Sequence, residues 1–543
     1  MPENEYNSKK RYLGEFYTPL NFAEKSIEYI YNALSKKELE SGKYRIWDMA
    51  SGIGNLEYYL DEKYHKYLYM STIDEKDVEY SKEKFKKACI FQYDYLNDDI
   101  NNNDFEYKKL PSKLQNDLNN GNIKWIIFIN PPYATSQCAG TNSKSKKNVS
   151  ISKIRDMMHK EKLGDASREL YAQFMFRIYK EFINISNKSE VYLAIFSKTN
   201  YIKYNNNEKF RNKVCSFNFI NGFIFSSSNF DNTSKTAPFP ISFIIWKMNS
   251  NYNIKSQNIV LDVLDDECSI ISKKNYNVID SSNLLNKWIK REKTSKIFVP
   301  LSSAIKVKTS GNDIRDKVCE GFIGSLMSCG SDLQKQNLTA IFSAPQASAG
   351  SLSITKENFE KAMIIHSVRR NVKVDWLNGS DQFCIPKNEL DKKFILDCVV
   401  WSIFSASNQS SAMDNILYKD KYYTIINHFY PFDYKEVYSD CSLFKYNGEK
   451  RFCFEYLEKN KKYISDEALE LMEICKQLYI FFYSNIENIN REKFKISLWD
   501  SGFWQIRKSL KDSKSALDIL NKIKKKRDIL KINIRKNTDN FIF

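Results

Sequence analysis

The chain has 543 residues, room for two or three domains, and with 42% hydrophobic and 14% aromatic residues it can bury a sizeable core. Lys and Arg exceed Asp and Glu by 83 to 66, a net +17 that suits a phosphate-bearing partner, although enrichment in Lys, Asn, Ile and Tyr also follows from an AT-rich genome. The cysteines form no C-x-x-C pair, the four histidines are far apart, and there is neither a signal peptide nor an apolar run of transmembrane length; this argues against a metal site, a disulfide framework or a membrane, and for a protein of the reducing cytoplasm.

The first informative element is Arg45 to Leu56, a short apolar strand running into a glycine turn and then a helix through Leu56 to Leu60. Gly52 and Gly54 let the backbone approach a ligand and adopt positive φ. The third position of the dinucleotide fingerprint holds Glu57, and no P-loop lysine follows. Tyr67 to Ile73 reads as the next strand and ends in Asp74-Glu75, where an acid can hold ribose hydroxyls. Ala88 to Gln92 is a third strand, followed by Tyr93-Asp94-Tyr95, a carboxylate for an adenine amine and a ring to pack on the purine. Each acid alone is more often a helix cap or a solvated group. Glu106-Tyr107-Lys108 is too short a pattern to carry nuclease chemistry in a chain this charged.

The apolar run Trp125 to Ile129 then ends in Asn130-Pro131-Pro132-Tyr133. The Asn side-chain oxygen and the Pro131 carbonyl can accept both hydrogens of one planar amine, drawing its nitrogen toward a tetrahedral, nucleophilic form. Pro-Pro stiffens the turn without adding competing N–H donors, and Tyr133 offers a stacking face. A turn of Asn and Pro is also an ordinary exit from a sheet.

In combination these segments resemble the S-adenosylmethionine-dependent DNA methyltransferases that modify the N6 amine of adenine, the N-P-P-Y type with gamma-like motif order. The resemblance runs from about Gly14 to Lys247. It implies a doubly wound, mostly parallel, seven-stranded Rossmann-like α/β sheet. It assigns Tyr17, Thr18 and Pro19 to the cofactor-binding segment, Asp48, Ala50, Ser51, Gly52 and Gly54 to the methionine-binding loop, and Asp74, Asp94 and Tyr95 to the nucleoside. Asn130 to Tyr133 become the catalytic loop, with Asn130 also touching the cofactor. Ser51 stands where the family often has Cys. Glu169 to Phe174 resembles the start of the next helix, Val191 to Phe196 the next strand, and Ser197-Lys198 its turn. Phe230 to Lys247 resembles the hairpin that supplies a second wall for the target base: Phe230 is the assigned ring, with Phe239 in reserve or in the core.

Residues 1–250 thus form the expected cofactor-binding domain. Its polar stretch Ala134 to Ala166, with Lys146 and Lys147, is either a basic loop that closes over DNA or a tolerated insertion. Asn249 to Asn253 reads as a linker. Residues 255–440, of mixed α+β character, are the expected target-recognition region by position. There Arg369, Arg370 and Lys373 are either readers of base edges or a solvated charged turn. Residues 455–543 read as helical, with Leu517, Leu520, Ile523, Leu530 and Ile534 near one face and lysines on the rest.

The expected activity is site-specific methylation of adenine in double-stranded DNA, with S-adenosyl-L-methionine as cofactor, no metal, and a cognate restriction endonuclease or specificity subunit as candidate partners. Two alternatives remain at this level: a cofactor-binding subunit that acts only with such a partner, and a methyltransferase acting on protein glutamine.

Overall fold

The structure is a computed structural model that describes residues 18–101, 104–133, 151–230, 238–291, 296–299, 317–346, 350–438, 451–490 and 500–542. Tyr17, Lys146 and Lys147 lie outside the described residues. The chain divides into two compact units, residues 1–280 with 375–380, and residues 281–374 with 381–543.

In the first unit the expected runs form strands β1 (Tyr44–Asp48), β2 (Leu68–Thr72), β3 (Cys89–Gln92), β4 (Lys124–Ile129) and β5 (Val191–Lys198). Next come β6 (Phe217–Ser226), β7 (Pro240–Met248), β8 (Ile259–Leu264) and β9 (Ile270–Tyr276). All belong to one nine-stranded sheet of order β9-β8-β6-β7-β5-β4-β1-β2-β3. β1 is parallel to β2 and β4, β2 to β3, and β4 to β5; β7 runs antiparallel to both β5 and β6. The fold is therefore a mostly parallel Rossmann-like α/β sheet, two strands larger than expected. Asn249 to Asn253 is not a linker. It connects β7 to β8 within the sheet, because β8 buries Ile259, Leu261 and Val263 on alternate positions and pairs in parallel with β6.

The central strands are apolar at nearly every position, so both faces of the sheet must be covered. In β4, Trp125, Ile127 and Ile129 enter one core while Ile126 and Phe128 enter the other. Helix α1 (Leu20–Ala33) covers the second core with Phe22, Ile27 and Ile30. Helix α2 (Glu75–Lys84) follows β2, and α3 (Leu170–Ser186) packs Tyr171, Met175, Ile178 and Phe182 into the first core. The expected helix over Leu56 to Leu60 is a series of turns instead. Glu57 points inward there, and Asp61 already caps the next helical turn through Lys63 N.

The second unit holds a three-stranded antiparallel sheet of order β11-β10-β12, with β10 (Gly324–Ser328), β11 (Thr339–Phe342) and β12 (Ser351–Ile354). Helices α4 (Phe359–Asn371), α5 (Lys392–Ile403), α6 (Asp466–Ser484), α7 (Phe503–Ser509) and α8 (Lys514–Arg535) pack with it. One core runs from Leu326 and Ile365 through Val399 and Leu478 to Leu530, so the expected 255–440 and 455–543 regions share their interior. On α8, Ile523, Leu530 and Ile534 are buried as expected, but Ala516 takes the inward position and Leu517 is 49% exposed. Among the described residues no helix is long and apolar enough to cross a membrane.

Candidate functional site

Parallel strands end on the same edge of a sheet, and in an open α/β fold the ligand crevice lies at that edge where the strand order reverses. Here the reversal falls between β1 and β4. Asp48 closes β1, Asp74 follows β2, Asp94 follows β3 and Asn130 follows β4, so the four strand-end residues singled out from sequence share one edge.

Asn130 is held on two sides. Its Nδ2 donates to Thr18 Oγ1 at 2.8 Å, and its Oδ1 accepts from the Tyr133 hydroxyl at 2.6 Å. Thr18 is buried and immediately precedes Pro19, the N-cap of α1, so the segment expected from sequence to bind cofactor touches the Asn130 to Tyr133 loop. With Thr18 on the amide nitrogen and the Tyr133 hydroxyl on the amide oxygen, the orientation of the carboxamide is set from both sides. The Tyr133 ring is buried and meets Phe230 edge-on at 6.0 Å. Rings in edge contact leave no planar slot between them.

Lys198, at the end of β5 rather than in a turn, donates Nζ to the Tyr133 carbonyl at 3.1 Å and lies 3.4 Å from Glu169, which begins α3. These two residues brace the loop from the strand next to β4. Phe239 lies under the Lys198 ammonium, 5.7 Å from ring centre to Nζ, and is partly buried against the same core as Phe230.

The glycine loop takes the conformation its residues allow. Gly52 has φ +51° and Gly54 φ +77°, and a Cβ on Gly54 would lie 2.4 Å from Phe85. Ser51 ties the loop to β2 through the Ser71 carbonyl, and Asp48 Oδ1 accepts from Ala50 N at 2.7 Å. Sequence reading gave Glu57 no role beyond breaking the dinucleotide fingerprint, yet it is fully buried beside Asp48. Burial pushes Asp48 up to about 7, and burial with the Asp48 charge pushes Glu57 well above the carboxylate range. A carboxyl whose folded pKa is raised adds stability that is complete below its unfolded pKa, near 4, and is lost as pH rises through the folded value. Glu57→Gln places a neutral amide there. Its melting temperature relative to wild type is expected to rise from pH 5.5 to pH 8, by an amount on the order of 1–2 kcal/mol of stability. Parallel melting curves at both pH values would show that the pair does not titrate in this range.

Asp74 caps α2 with one oxygen, on Lys76 N at 2.9 Å, and is exposed. Asp94 accepts from Leu96 N and Asn97 Nδ2, shaping its own turn while its carboxylate keeps lone pairs for a further donor. Tyr95, expected to pack on a purine, is buried instead: its ring stacks on Phe174 and its hydroxyl donates to Glu181. Arg177, fully buried on α3, pairs with Glu181 and donates to the Tyr93 hydroxyl at 2.7 Å and the Asp98 carbonyl at 2.9 Å, so the Tyr93 to Asp98 turn is clamped from behind. The exposed apolar group at this edge is Ile73, 60% exposed directly before Asp74.

In the second unit, Arg369 cannot read bases. It is fully buried and its guanidinium donates to the carbonyls of Cys329, Gly330 and Lys335. Helical periodicity turns it inward from the α4 C-terminus, a direction invisible in a run of charges. Arg370 is half-buried and donates to Asn337, while Lys373 is exposed. Glu106 and Lys108 form an exposed ion pair, and among the described residues no group of His, Cys, Asp and Glu has the arrangement to hold a metal ion.

No protein-family model matches the chain, and no curated protein matches it. Among solved structures, the DrdV–DNA complex is similar over 48% of this chain and 29% of that one, at 18% identity and TM-score 0.36. The ATP-dependent Type ISP restriction-modification enzyme LlaBIII bound to DNA is similar over 49% and 20%, at 14% identity and TM-score 0.34. A TehB-like S-adenosylmethionine-dependent methyltransferase from Corynebacterium glutamicum is similar over 41% of this chain and 97% of its own, at 13% identity and TM-score 0.19. The chain spans less than a third of the length of the first two.

Proposed function

We propose that this chain transfers the methyl group of S-adenosyl-L-methionine to the N6 amine of adenine in duplex DNA. The observation that carries the reading is the Asn130 carboxamide at the end of β4, with its nitrogen engaged by Thr18 and its oxygen presented beside Pro131, Pro132 and Tyr133.

The strand ends fit the cofactor. Gly52 and Gly54 bring backbone close to a ligand, Asp48 closes the adjacent strand, and Asp74 has a carboxylate oxygen beyond its capping bond for ribose hydroxyls. Ile73 takes over the apolar contact with adenine that Tyr95 cannot make. Bound there, S-adenosylmethionine supplies an electrophilic methyl group.

The target adenine must leave the duplex to reach this edge, an unstacking cost of a few kcal/mol. Tyr133 and Phe230 part to take the base, and the Tyr133 hydroxyl yields or shares Asn130 Oδ1. Asn130 Oδ1 and the Pro131 carbonyl then accept the two amine hydrogens, so the nitrogen lone pair is withdrawn from the ring and points out of its plane. Lys198, through the Tyr133 carbonyl, keeps the loop from following the moving ring. Positioning and hydrogen bonding by these residues supply the catalysis.

The test is incubation of the full chain with S-adenosylmethionine and mixed-sequence duplex DNA, followed by nucleoside mass spectrometry. N6-methyladenine well above the level given by Asn130→Ala is expected. Methylation confined to cytosine, or to glutamine in an added peptide pool, would sink the assignment.

A further inference from the structure

Helix α8 carries an anomaly in its buried stripe. Ile523, Leu530 and Ile534 face the core at helical spacing, and Arg527, which shares that stripe, is half-buried. Lys531 and Arg535 follow at four-residue steps, so the three cations line up along one side of the helix. Arg535 donates Nε to the Asn371 carbonyl at 2.6 Å, which sets this row against the end of α4 that bears Arg370. Arg507 on α7 adds a fifth charge close enough to act on Arg527.

None of these five cations forms an ion pair with a carboxylate among the described residues; Asp528, the acid that bears on Arg527 and Lys531, is exposed. Burial first, and then the neighbouring cations, hold Arg370, Arg527 and Lys531 below their ordinary values. Bonds to Asn337, to the Phe404 carbonyl and to the Asn371 carbonyl occupy one donor nitrogen each of Arg370, Arg527 and Arg535, Arg507 Nε is buried with no partner among the described residues, and a guanidinium has five N–H donors. Like charges gathered at half-buried positions without counter-ions cost stability unless an anion neutralises them.

We infer that Arg370, Arg507, Arg527, Lys531 and Arg535 form a docking surface for the phosphodiester backbone of duplex DNA. Regular spacing of cations along a helix matches a partner with regularly repeated charge, and guanidinium forks suit phosphate oxygens. The surface serves affinity and placement and carries no sequence reading. The choice of duplex DNA as partner rests on the proposed function.

The test measures binding of the full chain to two unrelated duplexes over a range of salt, by fluorescence anisotropy, for wild type, Arg370→Gln/Lys531→Gln and the charge-preserving Arg370→Lys/Lys531→Arg. The slope of log K against log salt is expected to fall by about 2 in the Gln pair, close to one for each lost phosphate contact, equally on both duplexes, with the charge-preserving pair near wild type. Melting temperature reports whether each variant is folded, and Lys531→Gln alone, which removes no hydrogen bond seen in the structure, should lower the slope by about 1. An unchanged slope in folded variants, or a loss confined to one duplex, overturns the surface and leaves the methyltransferase reading standing. A lowered slope in a chain that leaves no methyl mark on DNA upholds the surface and sinks that reading. Absence of salt-dependent duplex binding by wild type overturns both.

Discussion

Asn130→Ala is expected to lower methyl transfer to DNA by about a hundredfold or more, the scale seen when one preorganised polar contact is removed from an active site. The oxygen that accepts the amine is lost, and the Pro131 carbonyl alone cannot hold both hydrogens. Affinity for S-adenosylmethionine should move only a few-fold, because the glycine loop and Asp74 are untouched. The substitution also leaves the Thr18 and Tyr133 hydroxyls without the partners they have at 2.8 and 2.6 Å, so a stability loss of about 1 kcal/mol should accompany it. Single-turnover rates with saturating cofactor separate these effects. A variant that methylates at near wild-type rate would place the chemistry elsewhere.

Gly54→Ala is expected to be the most damaging change in the glycine loop. An added Cβ would lie 2.4 Å from Phe85 Cε2 and 2.9 Å from the Met70 methyl, both in the buried core, on a backbone at φ +77°. Strain of the left-handed conformation and overpacking each cost about 1–3 kcal/mol, so a loss of roughly 2–4 kcal/mol in stability is expected. Cofactor affinity should fall at least tenfold as the loop shifts to relieve the clash. Gly121→Ala is the control, since its added Cβ would meet nothing within 4 Å. Calorimetric titration of the cofactor and thermal melting of both variants decide the matter; equal behaviour of the two would remove Gly54 from the site.

The parts legible in sequence are those in which local pattern and final structure obey the same rule. Short apolar runs became the parallel strands because a strand buried on both faces has to be apolar throughout. Turn residues after those runs fall along one edge of the sheet because parallel strands end together. What escaped reading depended on which way a polar side chain points. Tyr95 and Arg369 each sit one residue from the feature that made them attractive, and that single step turns the side chain into the core. Glu57, Arg177 and Lys198 carry no motif, and their roles come from partners 9, 82 and 65 residues away, Asp48, Tyr95 and Tyr133. The boundary near 250 was misplaced because a polar turn inside a sheet has the same composition as one between domains.

The hexapeptide Asp375 to Ser380 has a practical consequence. The chain leaves the first unit after Asp280, returns for these six residues, and leaves again. Trp376 and Leu377 pack on the core beneath the sheet, and the Leu377 carbonyl accepts from Lys274 Nζ at 2.9 Å. Neither half can therefore be lifted out as an uninterrupted cassette. A chimera that swaps the second unit for another must splice at three points, at 280/281, 374/375 and 380/381, or leave the first unit with an exposed apolar scar where a tryptophan used to be.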